Sequence, residues 1–156
     1  MTRRSMPAGG EAGFVGGAEG LAFGVLVFVA GTLVVAGAWG AIDAKMATAT
    51  AAREAARAFV EASDAATAAR RAREAAAGAM AQDGRSLDRV RVRVDGTFER
   101  CARVTAEVAY RAPFIRVPGI SGTGHGLTVT ARHSEIVDPY RSGVSGEVSG
   151  CAEVTR

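Results

Sequence analysis

The residues with the clearest chemical potential are two histidines, His125 and His133, and the serine and glutamate that follow the second, Ser134 and Glu135. A hydrolase needs a nucleophile beside a general base, so these are the side chains to consider first. The surrounding sequence has none of the short motifs that accompany such sites in metallopeptidases and serine hydrolases. His133 also continues the alternating series that begins at Leu127, which favours a partly buried histidine. We therefore expect a non-enzymatic protein without a cofactor or a metal.

The two cysteines of the chain, Cys101 and Cys151, both follow a long apolar run. Outside the cytoplasm, two such thiols are expected to pair. Closing a loop of about fifty residues would stabilise the folded state by roughly 4 kcal/mol. Because two cysteines cannot supply the ligands of a standard zinc site, no metal is predicted here.

The carboxylate of Glu19 stands directly before residues 20–42, a run without one charged side chain. A hydrocarbon core about 30 Å thick needs about 20 apolar residues at about 1.5 Å each. We expect residues 19–42 to form a transmembrane helix, with the lipid bilayer as a partner. The run is too long for the apolar core of a cleaved secretory signal. Glu19 then either lies at headgroup depth beside the helix N-terminus or pairs with a positive group on a neighbouring subunit.

Small residues line one side of the predicted span. Gly16, Gly20 and Gly24 are spaced by four residues, and Gly31 lies seven further on. A helix face with almost no side chains lets a second membrane helix approach closely. The pattern indicates lateral assembly with other membrane helices and does not identify them.

The positive charges of the chain are distributed in a way that argues against nucleic acid. The formal net charge is +3, the positively charged residues are almost all arginines interleaved with acids, and Lys45 is the single lysine. Interleaved charges with few aromatic side chains indicate solvated surfaces. We expect no nucleic acid and no small-molecule substrate as partners.

The orientation of the span follows from charges and cysteines together. Arg3 and Arg4 precede it, whereas Lys45, Arg53 and Arg57 follow it. The positive-inside rule weakens for long translocated domains, and a cysteine pair favours export. We expect a single-pass protein of the cell membrane, with a cytoplasmic N-terminus and an extracytoplasmic C-terminal domain.

The elements around these residues divide the chain into four parts. Residues 1–18 form a Gly-rich cytoplasmic leader, and residues 19–42 form the span. Residues 43–82 form a helical extension whose predicted packing face is Ile42, Met46, Ala49, Ala52, Ala56, Phe59, Val60 and Ser63. Asp64 either interrupts the helical extension or caps a second helix, and Gly84 marks the end of the extension. Its second half has few large apolar side chains, so we expect it to lie on a surface and not to nucleate a core.

Residues 85–156 form a small β domain in which the apolar period switches to two. Alternation over 90–94, 104–110 and 127–131 predicts about three strands, with a hairpin turn at Asp95-Gly96. The apolar face around Phe59 is the available cover for this sheet. The fold class is therefore α+β, a long N-terminal transmembrane and amphipathic helix packed on a small antiparallel sheet.

These features together resemble the TadE-like pseudopilins of actinobacterial tight-adherence (Flp-type) pili. They are a short basic leader containing glycine, Glu19 at the mouth of an unbroken apolar helix, its continuation DAKMATATAAREAARAFVEA, and a small β domain with cysteines. The segment VTARHSEIVDPYRSG is also similar to the ends of such proteins. The resemblance implies a pilin-like fold and a structural role, with other pilin-like or Tad-system membrane subunits as partners.

The resemblance also bears on processing. In that family a prepilin peptidase can cut after a glycine, and a glutamate near position five of the mature chain helps subunits align in the membrane. Carried over here, Glu19 takes the assembly role. A cut after Gly13 makes Phe14 the first residue and Glu19 the sixth, whereas position five requires a cut after Phe14, which is not a glycine. Either the register is shifted by one residue or the leader is retained.

The leading hypothesis is a membrane pseudopilin or minor pilin-like component of a Flp-type pilus or related filament. The alternative is a membrane-tethered extracytoplasmic binding or sensory domain of unknown ligand. Such a domain would present its Gly-rich loop, residues 118–126, to a partner and would be indifferent to Glu19.

Overall fold

The structure is a computed structural model that describes residues 12–112, 126–146 and 151. In chain order its elements are helix α1 (Ala12–Val60), helix α2 (Ala65–Gln82), the 3-10 helix η1 (Leu87–Arg89), and strands β1 (Val90–Asp95), β2 (Arg103–Arg111) and β3 (Thr128–Ile136). The predicted α+β class is confirmed, with a long N-terminal helix, a shorter second helix and three antiparallel strands. The chain divides into two compact units, residues 1–38 and Trp39–Arg156. We call the described part of the second unit the head.

The sheet has the order β1-β2-β3, and both pairs of strands are antiparallel. Val108 of β2 stands opposite Val92 on one side and opposite Ala131 on the other, which places all three side chains on one face. On that face β2 contributes Val104, Ala106, Val108 and Tyr110, all buried. The period of two in the sequence therefore predicted the covered face of the central strand correctly.

Two helices cover this face, and alanine dominates their buried positions. Nine alanines of α1 and α2 belong to the same core as the strands: Ala44, Ala47, Ala51, Ala52, Ala55, Ala56, Ala68, Ala72 and Ala76. Phe59 is the large aromatic of α1 in this core, and its ring meets that of Phe98 edge to face at 6.0 Å between centroids. A core built largely from methyl groups leaves little space for longer side chains at these positions.

The predicted packing face of α1 was wrong in part. Phe59 and Ala52 are buried as expected, but Ile42 and Met46 remain 57% and 67% exposed. The helix instead buries Ala47 and Ala51. The reason is that the prediction favoured large apolar side chains, whereas the sheet and α2 meet α1 along its smallest ones.

Helix α2 lies on the sheet and contributes one buried stripe to the core. Met80 is fully buried, as are the alanines of the same stripe at Ala68, Ala72 and Ala76. These residues recur every four positions, so they form a continuous face although each side chain is small. Helix α2 lies against β1 and completes the cover of the sheet.

Helix α2 is bounded by the residues that the sequence predicted, Asp64 and Gly84. Asp64 is its N-cap, and the carboxylate accepts a hydrogen bond from the Thr67 N–H at 2.9 Å. Gly84 has φ +66°, and the Arg85 N–H donates to the Met80 carbonyl at 2.9 Å, as in a Schellman motif. The acid therefore starts a second helix, and the glycine ends it.

The hairpin turn at Asp95-Gly96 is longer than predicted. Strand β1 ends at Asp95 as expected, but β2 begins only at Arg103, so residues 96–102 form the connection. Gly96 has φ +127°, and a Cβ there would lie 2.7 Å from the Arg103 carbonyl oxygen. The connection carries Cys101, a residue of the disulfide, whose backbone has φ 64°.

Candidate membrane span and assembly surface

One helix in the described part of the chain, α1, is long and apolar enough to cross a membrane. Its large apolar side chains over residues 19–42 are exposed, among them Phe28 at 74% and Trp39 at 73%. A contiguous apolar surface of this size is not stable in water and needs lipid or other helices around it. Thr32, a polar residue within the run, donates its hydroxyl to the Phe28 carbonyl at 2.9 Å. The run therefore presents no unsatisfied hydroxyl to lipid at this position.

The predicted assembly residues lie on this helix. Glu19 is exposed at the start of the run. Gly20, Gly24 and Gly31 face open space, because a Cβ added at any of them would meet no atom within 4 Å. Gly16 belongs to α1 as well. The structure thus leaves Gly20, Gly24 and Gly31 accessible to a second helix.

The angular placement of these residues is set by the helix geometry. At about 100° per residue, the four glycines fall within an arc of about 80°, and Glu19 flanks that arc. Gly40 lies on nearly the opposite side of the helix by the same count, and it too faces open space. The arc of Gly16, Gly20, Gly24 and Gly31 is called the glycine stripe below.

The proposed processing residues, Gly13 and Phe14, both lie within the helical backbone of α1. The leader before Ala12 lies outside the described residues. The two registers considered for a cleavage site stay predictions.

The cysteines are joined as predicted. Cys101 and Cys151 form a disulfide with their Cα atoms 4.8 Å apart. The Cys101 N–H donates to the Val137 carbonyl at 3.0 Å, and the Val137 N–H donates to the Ala102 carbonyl at 3.0 Å. The disulfide thus reinforces the end of the head where β3 finishes.

The histidine and serine considered for catalysis are not assembled into one site. His133 Nε2 lies 3.0 Å from the Glu135 carboxylate on the covered side of the sheet. Ser134 points to the other side, where its hydroxyl bonds that of Thr105 at 2.9 Å. Adjacent strand residues face opposite ways, so the Ser134 hydroxyl cannot use His133 as its base. His125 lies outside the described residues, and the described part of the chain contains no cluster of three metal-ligating side chains.

One feature was missed in the sequence, an arginine-lined groove on the open face of the sheet. It has a volume of about 330 Å³ and is lined by Asp88, Arg89, Arg91, Ala109, Arg111 and Thr128. We call it the arginine groove. The alternating arginines of DRVRVRV contained the signal, since a period of two that buries the valines must gather the arginines on the other face.

A second missed feature is Arg141, which binds the C-terminal end of α1. Its guanidinium donates to the carbonyls of Val60 and Ala62, and to that of Glu61 at 3.1 Å. The last carbonyls of a helix have no partner within the helix, so a cation here satisfies both their hydrogen bonding and the helix dipole. No local pattern links Arg141 to residues eighty positions earlier.

Comparison of the chain with protein-family models, curated proteins and solved structures finds no match in any of the three.

Proposed function

We propose that this protein is a structural, single-pass membrane subunit of the pseudopilin or minor pilin type. It takes part in building a tight-adherence (Flp-type) pilus or a related filament. The observation that carries the proposal is the uncovered apolar helix that bears the glycine stripe, with Glu19 at its start. In this role the helix associates laterally with other pilin-like or Tad-system membrane helices, and Glu19 pairs with a positive group of a neighbour.

We further propose that the N-terminus is cytoplasmic and that the head lies outside the cell membrane. The disulfide between Cys101 and Cys151 supports this orientation, because structural disulfides persist in oxidising compartments. Intact mass of the membrane-extracted protein tests processing at the same time. Loss of residues 1–13 would indicate pilin-type cleavage, and retention of the leader would indicate an unprocessed anchor.

The first test is genetic. Deleting the gene and shearing the cells should reduce the amount of filament in the sheared fraction, and the wild-type gene supplied in trans should restore it. Normal filament formation without the gene would refute the proposal.

The second test uses paired variants of the helix and co-purification of pilin-like subunits from membranes. Glu19→Ala should reduce co-purification, whereas Glu54→Ala, which removes an exposed acid beyond the span, should not. Gly24→Leu should also reduce it, because a large side chain blocks close helix approach. Gly40→Leu is the matched control on the opposite side. Unchanged co-purification in Glu19→Ala would instead favour the membrane-tethered binding or sensory domain.

A further inference from the structure

We propose that the arginine groove is a binding site for a soluble sugar phosphate, which it holds through the phosphomonoester group. All residues that line the groove lie in the head, which is one compact unit. None of them belongs to the glycine stripe, so this binding is a function beyond filament assembly.

The floor of the groove is the small side chain of Ala109, which stands opposite Arg91 on the open face of the sheet. In the next row of the same face, two residues earlier on β2, Glu107 stands between Arg93 and Arg132. The Glu107 carboxylate forms an ion pair with the Arg132 guanidinium. The sheet therefore supplies an acid between the arginines of one row and leaves space for an external anion in the other.

Two arginines stand diagonally across this floor. Arg91 lies opposite Ala109, and Arg111 is two residues beyond Ala109 on β2. Residues in this relation on neighbouring strands are about 7 to 8 Å apart, so two long side chains can meet over one anion. Thr128 stands opposite Arg111 and adds a hydroxyl to the lining. Strand register thus gathers two guanidinium groups and a hydroxyl around one small space.

The described part of the chain leaves the charges of the groove available for a ligand. Within it, Arg91 and Arg111 form no ion pair, and Arg89 lies 3.9 Å from the carboxylate of Asp88. Three arginines against one aspartate give the lining a net charge of +2. A phosphomonoester carries about −1.5 to −2 at pH 7. The charge of the lining therefore matches a monoester better than it matches a singly charged diester or carboxylate.

The number of hydrogen-bond donors also favours a phosphate. A guanidinium presents a fixed fork of N–H donors that binds two oxygens at once. The forks of Arg91 and Arg111 together need more acceptors than the oxygens of one carboxylate supply. The terminal oxygens of a phosphate can accept from both forks, and the Thr128 hydroxyl can donate to the same group.

The rest of the lining favours an organic carrier over the free ion. The volume of about 330 Å³ is within the range of small-molecule sites, about 300 to 1,000 Å³. The Asp88 carboxylate repels a bare anion, but it can accept hydrogen bonds from hydroxyl groups. A sugar phosphate offers hydroxyls to Asp88 and phosphate oxygens to the arginines, so it satisfies both kinds of lining residue.

Titration of the full-length protein with glucose 6-phosphate, followed by NMR of the arginine Nε–H groups, tests the proposal. The protein is held in micelles of an amine-oxide detergent, which has neither phosphate nor sugar groups. We expect saturable binding with a Kd of about 1 mM or lower. The resonances of Arg91 and Arg111 should shift, whereas that of Arg70, which pairs with Glu74 on α2, should not.

Three further probes distinguish the source of the anion. Succinate has the charge of the monoester without its tetrahedral group, and inorganic phosphate lacks the sugar. Glycerophosphoglycerol is the diester headgroup of an anionic phospholipid. Each should bind more weakly than glucose 6-phosphate.

The double variant Arg91→Gln/Arg111→Gln should weaken the binding of glucose 6-phosphate by about tenfold or more, because charged hydrogen bonds are lost. Arg70→Gln/Arg73→Gln removes the same charge from exposed positions of α2 and should retain the binding.

The floor provides a second pair of variants. Ala109→Glu places an acid opposite Arg91, as Glu107 stands opposite Arg93, and should abolish binding. Ala109→Ser keeps the side chain small and should retain it. Circular dichroism establishes that each variant is folded before the comparison.

Absence of saturable binding, or full binding by the Arg91→Gln/Arg111→Gln variant, would overturn the proposal. Equal affinity for succinate would show a general attraction of anions and would also overturn it. Equal or tighter binding of inorganic phosphate or of glycerophosphoglycerol would identify a different ligand, with the same consequence. None of these titrations involves a filament, so their failure would leave the pseudopilin proposal unaffected.

Discussion

The guanidinium of Arg141 lies over the ring of Phe98, with its Cζ atom 5.5 Å from the ring centroid, while its nitrogens bind the last carbonyls of α1. The carbonyl of Arg141 in turn accepts a hydrogen bond from Arg100 Nε at 3.2 Å. One side chain therefore connects the helix end, the β1–β2 connection and the segment after β3. At the other end of the head, Arg85 and Lys45 link α1 to the sheet and to the end of α2.

Replacing Arg141 should destabilise the head more than replacing any exposed arginine. Arg141→Gln should lower the free energy of unfolding by about 2 kcal/mol, because charged hydrogen bonds to three carbonyls are lost. The free energy of unfolding of Arg141→Lys should lie between those of the wild type and Arg141→Gln, since an ammonium cannot span the same carbonyls. Urea unfolding of the full-length protein in maltoside micelles, followed by circular dichroism, measures the change.

Arg70→Gln is the matched control for Arg141. Arg70 pairs with Glu74 one turn away on α2, and both side chains are about 60% exposed. Such pairs contribute about 0.3 to 0.5 kcal/mol. Equal effects of the two substitutions would contradict the capping role of Arg141.

Removing the disulfide should lower stability without changing the fold. The Cys101→Ser/Cys151→Ser variant should lose about 2 to 4 kcal/mol, because the bond closes a loop with a sequence separation of 50 residues. The same urea titration measures this loss. The reduced wild-type protein, which lacks the same bond, is the reference for the variant. Unfolding midpoints that coincide for the oxidised wild type and the variant would contradict the prediction.

Enlarging a buried alanine of α2 should be costly. Ala72→Leu should destabilise the head by about 1 to 3 kcal/mol, since the core around this fully buried position has no room for three more carbons. Ala66→Leu, at an exposed position of the same helix, should change the stability by less than about 0.5 kcal/mol. Thermal unfolding of the two variants side by side distinguishes them, and a tolerated Ala72→Leu would show that the helix layer is loosely packed.

The cap at Asp64 should make stability depend on pH in the acidic range. Hydrogen bonds from the Ser63 hydroxyl and the Thr67 N–H hold the pKa of Asp64 below its ordinary value of 3.8. A lowered pKa in the folded state means that the stabilisation is present above the ordinary value and is lost as pH falls through the lowered one. Wild-type protein should therefore lose this contribution only below about pH 4.

Asp64→Asn provides the comparison for the acidic range. Asparagine also caps helices but does not titrate, so the part of the pH dependence that arises from Asp64 should be absent in this variant. Melting temperatures measured from pH 6 down to pH 3 give the two profiles. Parallel profiles would show that Asp64 does not contribute to the acid sensitivity.

The parts of the fold that the sequence predicted are those set by local chemistry. The apolar run, the Asp64 and Gly84 helix ends and the alternation of β2 each depend on residues a few positions apart. The buried face of α1 was predicted only in part, because its buried alanines differ little from the alanines that remain exposed. Met80 was the one large apolar side chain in its helix, and a single residue does not establish a face.

In the candidate site, too, some residues could be predicted from local spacing and others only from the folded chain. Glu19 and the glycine stripe were visible because helical spacing alone brings them together. The arginine groove needed the register of three strands as well as the position of η1. Arg111 and Thr128 stand opposite each other across β2 and β3, although seventeen positions separate them in the chain. Arg141 required knowledge of where the chain returns after β3.

The disulfide determines whether a protease cut in the head separates the chain into two pieces. Strands β2 and β3, and Arg141 after them, all lie between Cys101 and Cys151 in the chain. A protease that cuts between the two strands would therefore release no fragment unless a reductant were present. The two pieces would stay linked, and the remaining hydrogen bonds between β2 and β3 would keep the cut ends paired. A nicked subunit would migrate as one chain on a non-reducing gel and as two after reduction.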